Sequence, residues 1–174
     1  LGIEAPAFEL IDPRKNDLVK FSSETNGTGF LIAFICNHCP YVIHLKQHFP
    51  ALFNNWIKNG IKIYAISSND SAKYPADSPQ KMASEAEKLG FDFPHLYDES
   101  QEVAKHYQAA CTPDFFLFDQ HKRLFYRGRY DGSKPGGKEE VTGCDLSDAV
   151  ARMLGGELPP SSQKPSLGCN IKWR

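Results

Sequence analysis

The chain has 174 residues, 41% of them hydrophobic and 12% aromatic, enough to enclose one substantial core, and it reads as a single globular domain. Twenty basic side chains against twenty-one acidic ones give a formal net charge of -1, which offers no broad field to nucleic acid or to an anionic membrane surface. The longest strongly apolar run, Phe30 to Ile35, is far shorter than the ~20 residues of a bilayer-crossing helix, so neither nucleic acid nor membrane is an expected partner. In chain order, Phe8-Glu9-Leu10 and Leu18-Val19-Lys20-Phe21 alternate around Asp12-Pro13-Arg14 and predict a short strand pair. Phe30 to Ile35 and Ile61 to Ile66 are predicted buried strands. Between them Tyr41, Val42, Leu45, Phe49, Leu52, Phe53 and Trp56 fall at helical spacing up to a stop at Gly60, so strand, helix and strand imply parallel pairing.

Ser78-Pro79 predicts a helix start, with Met82, Ala83, Ala86 and Leu89 on one face and Gly90 at the end. A further helix is expected over Ser100 to Tyr107. The adjacent carboxylates Asp98 and Glu99 are read as its solvated start rather than as an acid–base pair. Phe115 to Phe118 and Arg123 to Arg129 predict an antiparallel pair, and Asp145 is expected to cap a last helix that ends before Gly155-Gly156. Leu158 to Pro165, rich in Pro and Ser, reads as a linker, which places the domain at 1–157 and a packed tail at 158–174. Ile171 and Trp173 share alternate-residue spacing, so an extended tail is expected to dock both. The whole is an α/β pattern: a central mixed sheet flanked by helices, with an N-terminal strand pair and a C-terminal tail.

Five cysteines are too few for a disulfide-stapled scaffold, and an odd number leaves one unpaired, so reactive thiols are expected. Cys36-Asn37-His38-Cys39 lies where a buried strand meets a helix, and unpaired N–H groups at a helix start favour a thiolate. Cys36 is the expected nucleophile and Cys39 the resolving thiol, with His38 contributing charge or a hydrogen bond to Cys36. A zinc half-site is disfavoured because no second Cys-x-x-Cys exists, and His44 and His48 read as surface or packing residues. Asn69 to Asp77 is a polar loop at the C-terminal end of a parallel strand, where turn and capping roles compete with substrate contact.

Ala5-Pro6-Ala7-Phe8-Glu9-Leu10, Cys36-Asn37-His38-Cys39-Pro40-Tyr41-Val42, Asn69-Asp70, and Cys111-Thr112-Pro113-Asp114-Phe115-Phe116 together resemble the thioredoxin superfamily. The likeness is to its peroxiredoxin-like, alkyl hydroperoxide reductase/thiol-specific antioxidant group. Pro165 to Trp173 is similar to a signature of one subgroup. The resemblance implies a thioredoxin-like (redoxin) fold, a cis bond before Pro113, and a Thr112 backbone that pairs with an extended substrate strand. It implies a thiol–disulfide oxidoreductase acting on protein or small-molecule thiols and disulfides. The alternative is a thiol-dependent peroxidase, since Cys39-Pro40 occupies the peroxidatic position. There Cys36 replaces the family's threonine and Ile32 its proline, with Arg127 or Arg129 as the remaining guanidinium or as strand-surface residues. A thiol-based adaptor or metal chaperone is the alternative of another class. Cys111 and Cys169 are possible auxiliary redox thiols, and Cys144 is expected to be structural. No cofactor is expected, there being no Gly-rich phosphate loop. A cytoplasmic location is the provisional expectation, with a removed signal peptide left open by the start at Leu1.

Overall fold

A computed structural model describes all 174 residues. β1 (Phe8–Asp12) and β2 (Asp17–Phe21) form the expected antiparallel pair, with Phe8 opposite Phe21. Its turn is tied by the Asp12 carboxylate, which accepts the Arg14 N–H at 2.9 Å. β3 (Gly29–Phe34) and β4 (Ile61–Ser67) run parallel, as a helical crossover requires. A strand that the sequence pattern did not suggest, β5 (His95–Tyr97), pairs with β4 and with Ile11 of β1, joining the N-terminal pair to the main sheet. The chain then makes β6 (Cys111–Thr112), which lies outside this sheet, followed by β7 (Asp114–Asp119) and β8 (Leu124–Gly128). The seven-stranded order is β2-β1-β5-β4-β3-β7-β8, a mixed sheet of thioredoxin-like architecture.

Alternation along β3 feeds two cores. Leu31 and Ala33 face a layer with residues of α1 (Pro40–Leu45), α2 (Phe49–Lys58), α3 (Pro79–Leu89) and α5 (Cys144–Leu154). Phe30, Ile32 and Phe34 face the other side, with Phe8, Phe21 and the short α4 (Glu102–His106). No helix is long and apolar enough to cross a membrane.

Three expectations need correction. The single helix from Tyr41 to Trp56 is two helices, because Pro50 lacks an N–H and its ring would strike the Lys46 carbonyl of a continuous helix; the chain restarts at Phe49 instead. The last helix begins at Gly143 rather than Asp145. Gly143 is left-handed at φ 68°, and a Cβ there would lie 2.8 Å from both Leu52 and Tyr130; Asp145 pairs with Arg129 at 2.6 Å. Asp98 is not solvated: it is wholly buried and accepts from the Ser68 hydroxyl at 2.8 Å and the Ala104 N–H at 2.9 Å, fixing the start of α4 from inside.

The tail follows the domain surface in extended form. Arg127 of β8 and Arg129 just after it donate their backbone N–H groups to the Gln163 side chain (2.9 Å) and the Lys164 carbonyl (3.0 Å). Ser166 donates to Asp114 at 2.7 Å, and farther on the Lys172 carbonyl accepts from the Asp70 N–H and the Gln101 side chain. Ile171 is buried as expected. Trp173 is not docked and stays 41% exposed.

Candidate active site

β3 ends beneath Cys36, and Asn37-His38 form a loop before Cys39, which is the N-cap of α1, with Pro40 at the first helical position. The loop hangs on one buried carboxylate. Asp77 is 0% exposed and accepts the N–H of Asn37 (2.7 Å) and of His38 (3.3 Å) on one oxygen. Its other oxygen takes the Asn69 amide at 2.9 Å and the His38 ring Nδ1. The His38 ring also stacks on Tyr74 at 5.2 Å. The expected bond from His38 to Cys36 is therefore absent: His38 Nδ1 is engaged with Asp77. A short 3-10 turn, Pro75–Asp77, delivers that carboxylate.

The opposite wall is β6. The Thr112–Pro113 bond is cis, as the resemblance implied. The Thr112 hydroxyl lies 3.3 Å from Cys36 Sγ, and its carbonyl accepts from Cys39 Sγ at 3.1 Å. The backbone edge of Thr112 is not free for a substrate strand, however. It pairs antiparallel with β9 (Cys169–Asn170) of the chain's own tail, Thr112 opposite Cys169 and Cys111 opposite Asn170. Gly168 makes that approach feasible, since a Cβ there would overlap the Thr112 carbonyl group, 2.6 Å from its carbon.

Cys36 and Cys39 are unbonded thiols, 2% and 1% exposed. Cys36 is pushed above the ordinary thiol range because it donates to Cys39, because it is buried, and because Asp77 is nearby. Cys39 is pushed below it, first by the Cys36 S–H and then by the Cys169 S–H and the N–H groups of Val42 and Cys169, which outweigh its burial. The hydrogen bond that Cys39 Sγ itself donates runs to the Thr112 carbonyl. Within the pair the lowered thiol is Cys39, which is also the residue at the helix start, and the raised one is Cys36, the expected nucleophile, which lies before the loop.

The remaining candidates are dispersed. Cys111 points its sulfur at the Pro113 carbonyl, and burial pushes its thiol up to about 12. Cys144 is exposed at the first turn of α5, not a packed structural thiol. The Arg127 guanidinium donates to the Gln108 carbonyl at 2.7 Å beside Asp114, and Arg129 binds Asp145, so neither serves the cysteines. His44 and His48 contact Ser133 (3.0 Å) and Tyr130 (2.5 Å) as packing residues. Cys36 Sγ, a ring nitrogen of His38 and an Asp77 oxygen lie within 4.8 Å of one another, a set of metal-ligand types. Both Asp77 oxygens already accept two hydrogen bonds each, so a metal would have to displace donors from them. Asp77, Asn69 and Gly168 carry much of the site, yet only the polar loop and the Gly-Cys pair hinted at them.

Residues 1–127 match the model of the AhpC/TSA family. No curated protein matches the chain. An uncharacterized conserved protein from Geobacillus kaustophilus is similar over 100% of this chain and 92% of its own, at 45% identity and a TM-score of 0.96. A hypothetical protein from Sinorhizobium meliloti 1021 is similar over 100% and 94%, at 40% identity and a TM-score of 0.96. The thioredoxin domain of a thiol-disulfide oxidoreductase from Bacteroides vulgatus shares the fold, over 88% of this chain and 96% of its own, at 18% identity and a TM-score of 0.65.

Proposed function

The chain belongs to the AhpC/TSA family, and from that membership we propose that it is a thiol–disulfide oxidoreductase whose working pair is Cys36 and Cys39. The observation that carries this reading is the shared surround of the two sulfurs: the Thr112 hydroxyl lies 3.3 Å from Cys36 Sγ, and the Thr112 carbonyl accepts from Cys39 Sγ at 3.1 Å. Such a pair exchanges two electrons with a thiol or disulfide partner without any further group.

In the reducing direction the Cys39 thiolate attacks one sulfur of a substrate disulfide. A Cys39–substrate bond forms as the substrate S–S bond breaks, and the leaving thiolate takes a proton. Cys36 then attacks the Cys39 sulfur, closing the Cys36–Cys39 bond, and its proton leaves with the second substrate thiol. Run backwards, the same steps oxidise a dithiol. The Cys36–Thr112 contact and the donors at Cys39 hold the two sulfurs for the closing step.

One feature favours a peroxidase as the second reading, namely Cys39-Pro40 in the position the family uses for peroxide, with the Cys39 thiol lowered by Cys36 and Cys169. Against it, both nearby strand arginines are committed elsewhere and a thiol stands at Cys36. The deciving measurement is turnover of insulin disulfides with dithiothreitol as reductant. Cys39→Ser is expected to lose at least about a hundredfold in rate, because the attacking atom is gone. Undiminished turnover in that variant refutes the assignment, and saturable hydrogen peroxide consumption exceeding disulfide turnover would put the peroxidase first.

A further inference from the structure

The closed pair presents a difficulty that the tail resolves. Disulfide exchange needs a sulfur that an incoming thiol can reach along the S–S axis, yet Cys36 and Cys39 are 2% and 1% exposed. The edge where a partner strand would approach is already filled by β9. What fills it is itself a cysteine. Opposite residues of an antiparallel pair point to the same face of the ribbon. Thr112 directs its hydroxyl at Cys36, so Cys169, paired with Thr112, projects toward the same two sulfurs. Cys169 packs against the core cluster that holds both sulfurs, while the residue itself is only half-buried. Gly168 supplies the clearance against Thr112, and Ile171 and Lys172 anchor the strand beyond it.

We propose that Cys169 is a third redox-active thiol, a built-in strand substrate that relays disulfide exchange between the buried Cys36–Cys39 pair and thiols outside. This rests on the reading of that pair given above. In the oxidised protein, Cys169 sulfur attacks Cys39 sulfur; the Cys39–Cys169 bond forms, the Cys36–Cys39 bond breaks, and the proton from Cys169 goes to Cys36. The chain neither gains nor loses electrons in this step. An external thiol then attacks Cys169 sulfur, restoring the Cys39 thiol and leaving a mixed disulfide on Cys169. A second external thiol attacks the outer sulfur, releases the external disulfide and returns Cys169 to a thiol. The sum is one protein disulfide and two external thiols converted to a dithiol and one external disulfide.

Two measurements on the full chain decide the matter. In Cys36→Ser, one equivalent of diamide, which takes up two electrons and two protons, is expected to give a monomeric Cys39–Cys169 disulfide at a rate independent of protein concentration. Free Cys39 and Cys169 thiols, or only intermolecular products, overturn the relay. In Cys169→Ser, diamide is expected still to form Cys36–Cys39, but glutathione should reduce that bond at least tenfold more slowly than in the wild type. Equal reduction rates overturn the relay while leaving the oxidoreductase reading intact. Failure of Cys36–Cys39 to form in Cys169→Ser overturns the oxidoreductase reading itself, and the relay with it.

Discussion

Two irregular segments flank the cysteine pair, and they are held in opposite ways. The loop Asn69 to Asp77 is built around a carboxylate with no exposure, whose four hydrogen-bond donors come from Asn37, His38 and Asn69. The tail from Gln163 to Arg174 has no comparable buried centre. It is tied by backbone pairing at Cys169–Asn170 and by single contacts along its length, with Ile171 as its one fully buried apolar side chain. A segment hung on a desolvated charge does not leave without exposing unpaired groups, whereas a strand added to an edge exchanges its bonds for water one by one. The first is a wall; the second is a strap. Irregular backbone is therefore no measure of mobility at this site, and what each segment is bonded to decides its role.

The largest expected effect tests the wall. Asp77→Ala leaves the buried amide of Asn69 and the half-buried N–H groups of Asn37 and His38 without an acceptor, which at ~1–3 kcal/mol for each orphaned group should cost about 3 kcal/mol or more in urea unfolding. A loss below about 1 kcal/mol would erase the distinction between the segments. Acid gives a second test on the same side of the molecule. His95 is buried with neither ring nitrogen partnered, and burial pushes its pKa down from 6.5 to about 4 despite Asp12 and Asp77 nearby. The unfolded chain takes the proton first, so this contribution is intact above pH 6.5 and is lost as pH falls toward 4, by about 3 kcal/mol. His95→Leu should flatten that slope, and an unchanged slope would assign acid sensitivity to other groups.

The smallest effect on stability tests the strap. Gly168→Val places side-chain atoms against the Thr112 carbonyl and should lift the strand, losing the burial of Ile171 at about 2 kcal/mol. The accompanying change in chemistry is large: alkylation of Cys39 by iodoacetamide should speed by more than about tenfold as its cover leaves. Unaltered alkylation would mean that the tail does not guard the pair.

What could be read in the sequence follows the same division. β3 announces itself as an unbroken apolar run and β4 as an apolar run interrupted by the exposed Lys62, because a central strand is buried on both faces. The Cys36/Cys39 pair was legible for its spacing. The break between α1 and α2 was written at Pro50, but the apolar spacing from Leu45 to Phe49 runs on across it and masked the signal. β5, β6 and β9 have three residues or two, too short for any periodicity. Asp77 sits some forty positions from the Asn37 and His38 groups it binds, and nothing in its own neighbourhood distinguishes a buried acceptor from a turn residue. The lowering of the Cys39 thiol draws first on Cys36 and then on the distant Cys169, a meeting in space that no local pattern announces.

The close approach at Gly168 also has a bearing on kinship. A single side-chain carbon at this position is incompatible with β9 as it lies, so one residue sorts relatives of this chain into two kinds. Those with glycine before the tail cysteine can inherit the guarded pair. Those with any larger residue there must leave the Thr112 edge open, and their partners meet the cysteines directly.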